Sequence, residues 1–259
     1  MDDPLGGPAM VLALVLAEIA VGGLAVLWLT PLWGRVRESF YKVNGAVLAA
    51  FAILAFLAAR GPLSDAGEGA AALALLGAFA VATVVWQVVV WLRAPGVVRV
   101  VGIAVVPVGV AALIAMALVP AERNGAPLAA FQLLAGALFA GAVVDGLLLG
   151  HWHLVDRKLS REYLGRINLF FLSGTALAAL AVLLGGTGGG EARPDFSPLL
   201  GVGVLTVSLA VGLAALCAVM ALFIRALIKE NSLQAATGFF YLAVILALAS
   251  EFAAKVRFF

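Results

Sequence analysis

The chain has 259 residues, 64% of them hydrophobic and 12% charged, against about 45–50% and about 25% in a soluble domain. Lipid, not water, is the solvent such a chain is built for. A net charge of +2, with the basic residues scattered through short connectors, excludes a nucleic-acid surface. The lone cysteine, Cys217, excludes an internal disulfide and reads as a small buried apolar residue.

The head, MDDPLGGP, is acidic where a cleavable signal needs a basic n-region, so no signal peptide is expected. A spanning helix needs about 20 mainly apolar residues, and eight runs qualify. They are Ala9–Leu29, Val43–Ala59, Gly69–Leu92, Gly96–Val119, Pro127–Gly150, Ile167–Gly186, Pro198–Ile228 and Leu233–Val256. The pairs Thr30-Pro31, Gly61-Pro62, Ala94-Pro95, Val119-Pro120 and Ala126-Pro127 fall between runs, where helices stop or start. The longest flexible connector is GGTGGGEARPDFSP, from Gly185 to Pro198. No internal repeat is visible. The expected fold is all-α: a single transmembrane domain over residues 1–259, an integral bundle of eight helices.

Lysine and arginine set its orientation. The connectors after the odd-numbered spans hold eleven of them, from Arg35 to Lys229; the other side holds five, Arg60, Arg123, Arg193, Lys255 and Arg257. Both termini are therefore expected outside, in a bacterial inner membrane. Two inner stretches, Thr30–Asn44 and His151–Arg166, mix basic residues with aromatics or leucine. Such a mixture anchors at the lipid interface; a docking face for other protein subunits on the cytoplasmic side is the alternative.

Three carboxylates fall within spans: Glu18 near the middle of the first, Asp145 near the inner end of the fifth, and Glu251 toward the outer end of the eighth. Acids at such depth serve proton relays and ion sites, or bond to a neighbouring helix. Glu251 has Lys255 four residues on, the spacing of a helical ion pair. If the fifth helix continues past Gly150, Asp145 shares a stripe with Leu149, Trp152, His153 and Asp156. Ala142, Gly146 and Gly150 run beside that stripe as a small-xxx-small face, so Asp145 is expected at a helix seam and not in lipid. Gln87 and Gln132 read as interhelical glue, and Pro107 frees the carbonyl of Ile103 in the fourth span.

His151 and His153, the only histidines, stand two apart and point in different directions on a helix. They cannot be the two axial ligands of one haem, and haem is not expected; a His-x-His metal site lacks further ligands. A histidine at the membrane surface that bonds or exchanges a proton fits better. The run Trp152-His153-Leu154-Val155-Asp156 is similar to the W-H-F-V-D run in subunit III of haem-copper oxidases. That match covers five residues, and no functional residue is carried over from it. The chain holds no P-loop, zincin pair or nucleophile elbow, which leaves an ATPase or hydrolase without support.

Eight spans with both ends outside and no haem ligand pair resemble, in topology alone, the quinol-interacting anchor subunits of molybdopterin oxidoreductases. The resulting expectation is a membrane subunit of a bacterial redox complex, at most quinol-handling. It would interact with quinone or menaquinone, with His151 and Trp152 beside that cofactor. Glu18, Asp145 and His153 would pass protons. A proton-coupled transporter of a small solute and a non-catalytic scaffold are the alternatives.

Overall fold

The structure, a computed structural model, describes residues 7–32, 34–65, 69–92, 95–119, 125–156, 158–186 and 203–258. Most of the glycine-rich Gly185–Pro198 connector and the acidic pair Asp2 and Asp3 lie outside the described residues, as does Pro120. Eight helices are described: α1 (Pro8–Leu29), α2 (Glu38–Asp65), α3 (Ala70–Trp91), α4 (Pro95–Leu118), α5 (Ala126–Val155), α6 (Arg161–Gly185), α7 (Gly203–Lys229) and α8 (Leu233–Phe258). All eight are long and apolar enough to cross a membrane, so this is a multi-pass protein in contact with the bilayer. Eight crossings put the N-terminal end of α1 and the C-terminal end of α8 at one face, the terminal face. The α1–α2, α3–α4, α5–α6 and α7–α8 connectors lie at the other, the connector face.

Several helices outrun their apolar segments. α2 begins five residues before Val43, with Glu38 in its first turn, where a carboxylate suits the exposed N–H groups. α6 begins at Arg161 rather than Ile167, because the Ser160 side chain accepts from the Glu162 N–H and caps the helix. Arg166 then pairs with Glu162 one turn back. Much of the basic RKLSREYLGR stretch is thus helix, not connector. Gly61-Pro62 does not end α2: Pro62 sits in its last turn, where few later residues depend on the lost backbone bond, and the Ser64 hydroxyl donates to the Arg60 carbonyl. α5 does continue through Gly150 to Val155.

The packing order falls into two halves. α1 packs on α2, α2 on α3, α3 on α4, and α4 returns to α1; α5 through α8 close in the same order. The halves meet chiefly along α1 and α5, while α4 reaches α5 and α8 reaches α1. The same order of neighbours thus occurs in both halves. The two central helices are the most enclosed, with 83% of the α1 span and 78% of the α5 span buried against 33–50% for the others. In lipid such a seam is held by close packing, since apolar burial drives nothing between helices there. The glycines show how close: a Cβ on Gly22 would strike the Ala137 carbonyl, and one on Gly141 would strike the backbone of Gly22 and Gly23.

Polar side chains tie the outer helices to this pair and to one another. Gln87 donates to the Lys42 carbonyl (2.6 Å), Gln132 to Ala181 (3.3 Å), Asn168 to Ala221 (2.9 Å) and Ser250 to Ala210 (2.8 Å). Each bond joins two helices and satisfies a group that would be costly to leave bare in lipid. Cys217 is buried, its thiol 3.7 Å from the Ala243 carbonyl.

Candidate functional site

Glu18 lies ten residues into α1, about 15 Å below the terminal face at 1.5 Å per residue. It is wholly buried. Lys255 enters the same space from the last turns of α8. Its Nζ stands 2.7 Å from Glu18 Oε1 and 2.8 Å from Glu251 Oε2, and both Lys255 and Glu251 are 2% exposed. Lys255 thus joins α8 to α1 and pairs along its own helix at the spacing expected of Glu251. The link to Glu18 was not legible, because nothing in the sequence says that α8 packs against α1.

Room for this cluster comes from Gly136 on α5. A Cβ there would run into the carboxylates of both Glu18 and Glu251. Two carboxylates share one ammonium, and Glu18 Oε2 meets no hydrogen-bond donor among the described residues. With both acids ionised, the group carries one excess negative charge in a region where uncompensated charge is expensive. A small cavity of about 10 Å³, lined by Gln132, Glu251 and Lys255 together with small apolar residues of α6 and α8, adjoins it.

Asp145 is equally buried but differently served. Nδ2 of Asn44, on α2, donates to its Oδ1 at 3.1 Å, while Asp145 Oδ2 and Asn44 Oδ1 meet no partner among the described residues. The residue does face protein. The glycines beside it pack on α8: a Cβ on Gly146 would meet Phe240, and one on Gly150 the Thr237 hydroxyl. Asp145 lies nine residues beyond Gly136, so about 14 Å along the helix separates it from the level of Glu18. The structure does not bring the two acids together.

His153 is 2% exposed and wedged between two carbonyls, with Nδ1 2.9 Å from Leu149 O and Nε2 3.2 Å from Ser160 O. It fastens the α5–α6 connector. His153 also borders a surface cleft of about 450 Å³ with Leu154, Asn231, Leu233 and Gln234. His151 is exposed. Trp152 is half-buried and packs edge-on against Phe40 at 5.7 Å, with no partner for its Nε1 among the described residues. His151 and Trp152 do not line the described cleft with His153. Nearby, Asp156 pairs with Arg37 (3.5 Å) and Arg161 donates to the Lys229 carbonyl (3.1 Å), so the connectors are cross-tied along this face.

Among the described residues no three of His, Cys, Asp and Glu gather as a metal site. Comparison with family models, with curated proteins and with solved structures finds no match.

Proposed function

We propose that the protein is a proton-handling membrane subunit of a redox assembly, with the Glu18–Lys255–Glu251 cluster as the place where a proton is held. The observation that carries this is the odd count, two carboxylates on one ammonium, in a buried site at the meeting of α1 and α8. Charge balance there calls for one further positive charge, and a proton is the smallest that fits. Ionisable groups kept at such depth pair with one another and mark proton relays. Quinone or menaquinone is the proposed redox partner, with its headgroup in the cleft beside His153. That cleft falls in the size range of small-molecule sites, about 300–1,000 Å³. Partner subunits would dock over the cross-tied connector face, the proposed cytoplasmic side of a bacterial inner membrane.

The test is purification with the proteins that accompany the chain from its native membrane, followed by quinol titration with pH-indicator dye. Wild type is expected to bind a quinone analogue and to take up protons on turnover, and Glu18→Gln to assemble but lose that uptake. Redox-linked uptake retained in the Glu18→Gln, Asp145→Asn double variant would overturn the proposal.

One observation favours a second reading, a non-catalytic scaffold. Asp145 is fully enclosed and held by a neutral amide, and His153 has both ring nitrogens against backbone carbonyls, as structural residues do. A scaffold would keep assembly and partner activity intact in the same double variant.

A further inference from the structure

We infer that the Glu18–Lys255–Glu251 cluster exchanges its proton with the terminal face through a single water held between α5, α6 and α8, with Gln132 as the residue that positions it. The inference rests on the proton-holding reading and adds the route and the residue. Gln132 is 4% exposed. Its Nε2 donates to the Ala181 carbonyl of α6, which pins the amide, and its Oε1 has no partner among the described residues. A buried amide oxygen without a donor costs on the order of one lost hydrogen bond unless a water supplies it. The cavity beside it measures about 10 Å³, near the least volume that holds one water. Gln132, Glu251 and Lys255 line it, so a water there has the two or more polar partners that a buried water needs.

Position gives the direction. Gln132 lies six residues into α5, about 9 Å below the terminal face, whereas Glu18 lies about 15 Å down. By the same count Glu251 lies about 10 Å down and Lys255 about 5 Å, so a proton on the water beside Gln132 reaches Glu251 before Glu18. The remaining walls, Ala178, Ala181, Val182 and Ala254, are small, and this is what leaves the space open. The step moves one proton: an O–H bond of a hydronium at the site breaks as an O–H bond to the Glu251 carboxylate forms. The reverse step returns the proton to water, and no other reactant is needed.

The test is infrared spectroscopy of the purified full-length chain in lipid nanodiscs, moved from H2O to D2O. A protonated-carboxyl band that disappears in Glu18→Gln or Glu251→Gln identifies the cluster, and its isotope shift times the exchange. Gln132→Leu removes the acceptor, and Ala181→Met fills the space. Each is expected to slow the shift severalfold, up to about tenfold, the effect of one lost hydrogen bond, with the amide exchange of the bundle unchanged. A wild-type rate in both variants, with the band present, would overturn the water route and leave the proton-holding reading standing. Absence of any cluster carboxyl band would overturn that reading and the inference with it.

Discussion

Two buried carboxylates on the two central helices meet opposite surroundings. Glu18 shares an ammonium with a second acid, beside a cavity of about 10 Å³. Asp145 has one neutral donor, Asn44, in close packing. Burial is alike, so it does not explain the contrast; the neighbours do. A charge partner supplied in odd number can hold a proton or release it, whereas an amide partner in a fixed pair has less to exchange. Burial of an acid in a bundle is thus weak evidence of activity until its counter-group is known.

The sharpest way to break the comparison is Lys255→Met, which removes the ammonium that the two carboxylates share. It is expected to cost about 3–5 kcal/mol, the range for removing one partner of a buried ion pair, read as a lower melting temperature by size-exclusion after heating in detergent. The triple variant Glu18→Gln, Glu251→Gln, Lys255→Met is expected to recover most of that stability while taking up no proton. A triple variant as unstable as Lys255→Met alone would mean that packing, not charge, dominates the site.

Gly136→Ala comes next. It leaves every charge in place and pushes a methyl into the carboxylates of Glu18 and Glu251. The expected loss is up to about 3 kcal/mol, as for overpacking elsewhere, in the same melting assay. A neutral result would show that the cluster has slack, and would weaken the view of α5 as its fitted wall.

How much of this could be read beforehand follows from what each feature depends on. Eight spans were legible because length and apolarity are properties of single segments. The seam position of Asp145 was legible too, since Ala142, Gly146 and Gly150 mark a face that one helix carries by itself. Ser160 and Glu162 did carry a local signal for the earlier start of α6, a cap three residues wide that the apolar count passes over. The Glu18–Lys255 contact joins residues at opposite ends of the chain, and only the return of α8 to α1 makes it. For the same reason the two-half packing order has no counterpart in the residues: α4 buries only apolar side chains and glycines, whereas α8 buries Thr237, Ser250, Glu251 and Lys255. Gln132 was read as glue, and its Nε2 is that; its other end, the bare Oε1, becomes visible only with the cavity beside it.

Asn44→Leu and Asp145→Asn refine the other side of the comparison, with progressively smaller effects. Asn44→Leu takes away the only hydrogen bond described at the Asp145 carboxylate, and a loss of about 2 kcal/mol is expected, the cost of a buried acceptor left bare. Asp145→Asn keeps an oxygen for Asn44 Nδ2 and turns the unpartnered Oδ2 into an NH2 group, so the melting temperature should move by less than about 1 kcal/mol-equivalent. Proton uptake should survive it if the work is done at Glu18. An Asp145→Asn protein that folds normally yet takes up no proton would place both acids on one path, despite about 14 Å of helix between their levels. The contrast between an exchanging cluster and a fixed pair would then have to be given up.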